Sequence, residues 1–386
     1  MNLFLCNSSK NQTKYFVSHL ISSLLVFTLF LMPFCSFAAP NPAPKSIKKA
    51  KVTSKQQTKS KAPENESAHF NRWSEVQVFV DEMSERHGFN KPQMLKDFEQ
   101  VALLKSAIQL VKPAPPGRPK NWKAYRARFV ENGRIEAGVA FWNKYADALE
   151  LAEKKYGVPA EIIVGLIGVE TIYGKNTGSF RVIDALTSLA FSYPDTPNRT
   201  ARQSFFRSEL ENLFLLARET STDVFSFKGS YAGAIGWPQF MPSSARTFAV
   251  DFDLDGKIDL SGSPVDAIGS VANYLALHGW KKGLPTAFPA TLVSNELTNE
   301  QIDKYLGAGL KASFSLDQLK SVVTTANADA PTNLQYGLVD LQNGNEPTEY
   351  WLGTENFFAI TQYNRSYFYA MSVIDLGKII TTSRDK

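Results

Sequence analysis

The sequence predicts a mainly helical chain of the α+β class, and three observations carry that prediction. Apolar residues recur at three- and four-residue steps through most of residues 73–280. A helical pattern returns at Ser366–Ile380, SYFYAMSVIDLGKII. Between the two, residues 284–350 change to short branched or aromatic runs divided by turn residues, which reads as a small β-containing insertion. With 386 residues, 44% of them hydrophobic and 20% charged, the chain can bury two or three domains, so disorder is not the default.

Taken in order, the chain opens with Lys10 and Lys14 ahead of an apolar run, His19–Phe34, and then Ser36-Phe37-Ala38 before Ala39. This is the pattern of a secretory signal peptide over residues 1–38. A retained membrane anchor is the competing reading, because the run reaches the lower length limit of a spanning helix. Lipidation at Cys35 ranks below soluble export, since bulky Phe34 stands where a lipoprotein leader needs a small residue. Both cysteines, Cys6 and Cys35, lie in this leader, so the exported chain is expected to carry neither disulfide nor thiol nucleophile. Residues 39–69 read as a flexible tether rich in Lys, Ser and Pro.

The formal charge of +5 misleads, because the leader contributes two lysines and the tether seven. Residues 64–386 carry a net −4. No nucleic-acid footprint survives in them. Contact with a membrane is expected only through the leader or, weakly, the tether.

Residues 70–150 read as a helical domain. Val76, Phe79 and Met83, then Met94, Phe98 and Leu104, keep helical spacing up to the proline-rich residues 112–119, which read as extended. Residues 135–156 read as one amphipathic helix with Val139, Phe141, Trp142, Tyr145 and Leu149 on its apolar face. Tyr125, just before it, has two readings open, a sugar-stacking ring or a packed aromatic. Residues 151–283 form the central segment, with further helices at Arg181–Tyr193, Arg202–Thr220 and Val265–His278. Residues 351–386 return to it.

The stretch Glu161–Gly178, EIIVGLIGVETIYGKNTG, holds one carboxylate where none is expected. Ile162, Ile163, Leu166, Ile167, Val169 and Ile172 leave almost no polar face, so the helix should be buried on most sides. Glu170 is its only charge between Glu161 and Lys175. Apolar surroundings disfavour the ionised form and raise the pKa, as a general acid working near neutrality requires. A structural role stays open beside this one, with Glu170 turned to solvent or paired with Arg181.

Residues 228–244, KGSYAGAIGWPQFMPSS, read either as a groove wall, where glycines let backbone approach a ligand, or as a tight turn with buried aromatics. On the first reading Ser230 and Gln239 bind amides and hydroxyls, and Tyr231, Trp237 and Phe240 flank a sugar ring. Asp251-Phe252-Asp253-Leu254-Asp255-Gly256 opens like an EF-hand calcium loop, with carboxylates at alternate positions and a glycine for the sharp turn. The ninth position is Asp259, and the twelfth is Gly262 instead of glutamate. The closing carboxylate must therefore come from elsewhere, and Asp266 is the nearest. Lys257 would give its backbone carbonyl. A carboxylate-rich surface turn is the alternative.

GVETIYG, GSYAGAIGWPQFMPSS, DFDLDG followed by VDAIGSVANYLALHGW, and YWLGTENFFAITQYNRSYFYAM stand in one order across residues 70–382. Together they resemble the membrane-bound lytic murein transglycosylase B family. The resemblance implies a lysozyme-like helical core with a helical domain and a small β-containing domain. It also implies cleavage of the β-1,4 bond between N-acetylmuramic acid and N-acetylglucosamine in peptidoglycan, leaving a 1,6-anhydro end. Glu170 falls on the family's catalytic glutamate. Ser230, Gln239 and Phe240 fall on its groove motif, and Tyr125, Tyr274, Tyr363 and Tyr369 on aromatic positions lining the cleft. A later aspartate closes the family's calcium loop, in keeping with Asp266.

One glutamate suffices for such a reaction if it first protonates the leaving oxygen and then, as carboxylate, takes the proton from the muramic C6 hydroxyl attacking C1. That attack is intramolecular and needs no protein nucleophile. A hydrolytic muramidase would need a second acid such as Asp184. A wall-binding scaffold without turnover is the non-enzymatic reading. Calcium is expected to be structural, with no cofactor for catalysis. The expected partners are peptidoglycan glycan strands and cell-wall synthases, the expected state a monomer, and the expected location the periplasm.

Overall fold

The computed structural model describes residues 68–113, 119–325 and 330–385. The expected leader, all but the last two residues of the tether and most of the proline-rich stretch lie outside the described residues.

Helices α1 (Ser74–His87), α2 (Lys91–Glu99) and α3 (Lys105–Leu110) come first. The Asn90 side chain accepts the Gln93 N–H to cap α2, and Gly88, at φ 70°, ends α1. Phe79 and Phe98 from these helices meet Phe214 at 6.4 and 5.7 Å between ring centroids. Helices α4 (Trp122–Arg126), α5 (Asn132–Lys144) and α6 (Ala146–Tyr156) follow. The single helix expected over residues 135–156 is broken at Tyr145, at φ −117° and ψ 29°. The apolar stripe runs on through the break because its two halves serve different neighbours, α5 packing on the last helix of the chain and α6 on the helix at 264–277.

The central helix α7 (Ala160–Thr171) is buried along nearly its whole length. After it come α8 (Val182–Phe191), α9 (Arg199–Glu219), α10 (Pro242–Phe248) and α11 (Pro264–Leu277), α9 packing on α8 and α10, and α11 on α7. Phe180–Arg181 (β1) and Lys228–Gly229 (β2) make a short antiparallel ribbon. The insertion then supplies β3 (Ala287–Leu292), α12 (Asn299–Leu306), β4 (Phe314–Ser315), α13 (Leu316–Leu319), β5 (Val323–Thr325), β6 (Gln335–Asn343) and β7 (Glu346–Gly353). Its strands form an antiparallel sheet in the order β4-β6-β7-β3-β5, with Ala287 and Gly337 both opposite Gly353. The sheet has an apolar cluster of its own around Tyr305, Leu319, Tyr336 and Leu352. Both ends of the insertion meet at Thr354, whose N–H and hydroxyl donate to the carbonyls of Thr286 and Pro285 at 3.0 and 2.6 Å. The β6–β7 turn reaches α4, where Asn343 accepts the Lys123 N–H at 3.0 Å.

Helices α14 (Glu355–Tyr363) and α15 (Tyr367–Arg384) return to the helical body, whose apolar cluster runs from Phe70 to Ile380. Helix α15 crosses α7 antiparallel and at close range. A Cβ at Gly165 would lie 2.2 Å from the Val373 carbonyl oxygen, and one at Gly377 2.3 Å from that of Glu161. Only glycine permits this approach, and the seam fixes what stands at its end. Among the described residues no helix is long and apolar enough to cross a membrane.

Candidate active site

Glu170 occupies the last turn of α7, opposite the first turn of α15. The Tyr369 hydroxyl donates to its Oε1 at 2.5 Å, across 199 residues of chain. Tyr369 is wholly buried, and burial followed by the neighbouring carboxylate holds its phenol protonated, well above the ordinary pKa. Tyr369 therefore keeps a proton to donate to the Glu170 carboxylate. Glu170 keeps some accessible surface as a residue. Burial nevertheless pushes its carboxyl up from 4.5 to about 7, against the opposing pull of the Tyr369 hydrogen bond. Arg181, the partner considered for a purely structural Glu170, is committed elsewhere. Its Nε and Nη2 donate to Asp184 at 2.7 and 2.8 Å.

The chain leaves α7 in an unusual way. Ile172, Tyr173 and Gly174 all take left-handed conformations, at φ 52°, 54° and 80°. Ile172, counted with the apolar residues of the helix, instead caps α7 in a conformation costly for a β-branched residue. Thr171 clamps the turn, its hydroxyl donating to the Trp237 carbonyl at 3.0 Å and accepting the Gly174 N–H at 3.1 Å. A Cβ at Gly174 would strike the Trp237 ring at 2.5 Å, and one at Gly178 the Gly229 carbonyl at 2.1 Å. The glycine-rich segment is thus laid directly against the residues that follow Glu170.

Within that segment the Ser230 Oγ accepts the Ala234 N–H at 3.1 Å, which leaves its proton to donate. Gln239, at φ 53°, donates through Nε2 to the carbonyls of Thr177 and Gly236 at 3.0 and 2.9 Å, so its amide oxygen is the end left to accept. Tyr363 stacks on Tyr369 at 6.5 Å and 13°, and its hydroxyl donates to the Pro238 carbonyl. Tyr274 lies edge-on to Tyr363 at 4.7 Å and donates to the Gln362 carbonyl at 2.8 Å. Phe240 contacts both, at 5.5 and 5.7 Å. These residues form one connected wall, but not all offer a ring to solvent. Phe240 and Tyr369 are 2% and 0% exposed and Tyr274 is 7% exposed, because they pack the wall from behind. Tyr125 is half-buried, and Tyr363 and Tyr125 both respond to the Glu170 charge.

The other buried acids are committed. Asp184, the acid considered for a hydrolytic route, accepts from Arg181 and from the Ala102 N–H at 3.1 Å. Glu209 caps α10, accepting the Ser243 N–H and hydroxyl at 2.9 and 2.6 Å.

In the acidic loop, Asp251, Asp253 and Asp255 each bring one carboxylate oxygen within 4.8 Å of the others. Asp251 Oδ1 is buried without a hydrogen-bond partner, which suits a hard cation, and Gly256, at φ 90°, makes the turn. Asp266, expected to close the loop, does not join this trio. Its Oδ1 accepts the N–H groups of Phe252 and Asp253 at 2.7 and 3.3 Å, and its Oδ2 that of Asp259 at 2.8 Å. It braces the loop backbone from the first turn of α11.

Sequence reasoning did not single out Thr171, Tyr173 or the seam glycines. The GxxG spacing of Gly165 and Gly168 in an apolar helix was the available signal, since small residues on one face admit close helix approach.

Comparison with known proteins identifies the family. The family model described as the transglycosylase SLT domain matches residues 70–378. The chain is 42% identical over 318 residues to the membrane-bound lytic murein transglycosylase B of Escherichia coli (strain K12), covering 80% of this chain and 83% of that one. It resembles the crystal structure of soluble lytic transglycosylase SltB1 from Pseudomonas aeruginosa with a TM-score of 0.71 and 44% identity, over 81% of this chain and 100% of that one. It also resembles the Escherichia coli lytic transglycosylase Slt35 in complex with calcium, with a TM-score of 0.70 and 40% identity over 82% and 95% of the two chains. With a helical core matched over most of its length and a lone acid raised toward neutrality at its centre, the chain belongs to the transglycosylase SLT domain family.

Proposed function

We propose that the protein is a peptidoglycan lytic transglycosylase in which Glu170 acts first as acid and then as base. The observation that carries the reading is one carboxyl, buried beside a tyrosine that donates to it and poised at about 7. Near that pKa both protonation states are accessible, so a single group can give a proton to the leaving oxygen and then accept the one released by the muramic C6 hydroxyl. The relatives' names, lytic murein transglycosylases, point to the same bond. Ser230 and Gln239 are suited to orient the substrate's N-acetyl amide, one by its free hydroxyl proton and the other by its amide oxygen. The half-buried rings of Tyr125 and Tyr363 flank the sugar, while Phe240, Tyr274 and Tyr369 hold them in place. A hydrolytic muramidase needs a second acid, and Asp184 is bound to Arg181 and backbone. Mass spectrometry of digested sacculi separates the two, since hydrolytic products are heavier by one water. Products without anhydro ends would overturn the reading.

Replacing Tyr369 with phenylalanine removes the hydrogen bond that favours the carboxylate. The alkaline limb of kcat/KM, which reports loss of the acid form, is then expected to move to higher pH, with a lower maximum because the base form is less supported. A pH–rate profile that does not move would remove Tyr369 from this role.

The relative that crystallised with calcium, together with the acidic trio, supports a structural calcium ion held by Asp251, Asp253, Asp255 and the backbone carbonyl of Lys257. Saturating calcium is expected to raise the thermal midpoint by roughly 5 °C, reversed by chelator and absent in Asp251→Asn. Calorimetry with and without calcium checks this. Action on murein supports a location in the cell envelope, and the basic leader and tether support export to the periplasm.

A further inference from the structure

Three cations follow one another along α4 and the turn after it, Lys123, Arg126 and Arg128. Two of them are matched with acids. Lys123 pairs with Glu346 on β7, and Arg126 with Asp375 on α15 at 2.6 Å. Among the described residues Arg128 pairs with no acid, and its side chain is exposed. It is nevertheless held in place. Its guanidinium carbon lies 5.1 Å from the Tyr125 ring centroid and 5.4 Å from that of Phe129. Its carbonyl accepts from Arg134 Nη1 at 2.8 Å, and its N–H donates to the Tyr125 carbonyl at 3.1 Å. Arg134 is buried, its guanidinium lies 5.2 Å from the Phe129 ring, and Glu131 offsets its charge, so it serves to hold the Arg128 backbone. Tyr125 in turn lies within electrostatic reach of both Arg128 and Glu170.

A fixed, exposed and uncompensated guanidinium on the ring that borders the acid is placed for an anionic substituent of the substrate. Arginine presents a planar fork that matches a carboxylate with two parallel N–H···O bonds. We infer that Arg128 binds a carboxylate carried by the glycan on the Tyr125 side of Glu170, and so selects strands bearing free carboxyl groups over strands in which they are capped. The inference rests on the reading of the Glu170 site as a peptidoglycan site. The sugars of that polymer are neutral, and its carboxylates hang from the lactyl groups of muramic acid. They belong either to the stem peptides or, where these have been removed, to the lactyl group itself.

The test measures kcat/KM for release of anhydro ends from four substrates. These are peptide-bearing strands and amidase-stripped strands, each native and with carboxylates converted to methylamides. The parent protein is expected to prefer a native form over its capped form by about fivefold, in the range of an exposed ion pair, and less at high salt. Arg128→Gln is expected to lose that preference through KM and not kcat, and Arg128→Lys to keep part of it. Loss confined to the peptide-bearing pair assigns the stem-peptide carboxylate, and loss confined to the stripped pair assigns the lactyl carboxylate. A misfolded variant would lose kcat on native and capped strands alike, and Arg128→Lys covers that case. The proposal is overturned if Arg128→Gln keeps the parent's preference on both pairs, or if the parent has none. Absence of anhydro ends from every substrate would instead overturn the underlying functional reading, and this inference with it.

Discussion

Replacing Glu170 with glutamine is expected to lower the release of anhydro-ended muropeptides by about 10³-fold or more, because proton transfer by a positioned group contributes about 10²- to 10⁴-fold and this group is used twice. Glutamine keeps the shape and can still accept from Tyr369, so the loss reports chemistry and not packing. The same substitution should stabilise the fold. A carboxyl whose pKa rises from 4.5 unfolded to about 7 folded binds its proton more tightly in the native state. Native stability is then fully present below about 4.5, declines as pH rises, and levels off above about 7. Ionisation of Glu170 costs the fold about 2 kcal/mol, allowing for its partial exposure. Glutamine has no such cost. Thermal midpoints of the two proteins measured from pH 4 to 8 should separate across that window, with the variant the more stable. A variant that digests sacculi as fast as the parent would end the single-acid mechanism.

Gly165→Ala carries the second large effect, and its sign is diagnostic. In an exposed helix this change favours the helix by about 0.5–1 kcal/mol. At the α7–α15 seam the new methyl would stand 2.2 Å from the Val373 carbonyl oxygen and 3.2 Å from the Gly377 nitrogen, and backbone cannot swing aside. The helices must part, at a cost of about 3 kcal/mol, the upper range for overpacking. Parting them also draws Tyr369 away from Glu170, so kcat should fall even in the fraction that remains folded. Chemical denaturation together with activity per folded molecule checks both halves. A variant of parental stability would mean that the seam is looser than described.

Glu170 was legible in the sequence because a single charge in an apolar helix is a local anomaly. The acidic trio was legible for the same reason, its carboxylates lying within five residues. Tyr369 could be placed in the site by resemblance, but its bond to the carboxyl spans 199 residues and depends on how two glycine faces meet. No period or propensity encodes that. The break at Tyr145 was hidden because the apolar stripe continues across it while its partners change. The bracing role of Asp266 was hidden for a related reason. Its spacing suits a ligand, yet three backbone N–H groups converge on its carboxylate, and their convergence is a property of the folded loop.

The meeting of residues 285, 286 and 354 has a consequence for how the molecule could be re-engineered. Entry and exit of the five-stranded segment lie side by side, so in chain topology it is an interpolation that a short turn could bridge, leaving the surrounding helical body uninterrupted. What such a splice would remove is a buttress. The hairpin braces α4 through Asn343 and Glu346, and α4 carries Tyr125, which lies within electrostatic reach of Glu170. A trimmed enzyme should therefore lose grip on its polymer before it loses the capacity to cut it, at a cost in stability because Val339 and Leu341 of β6 pack in the main core.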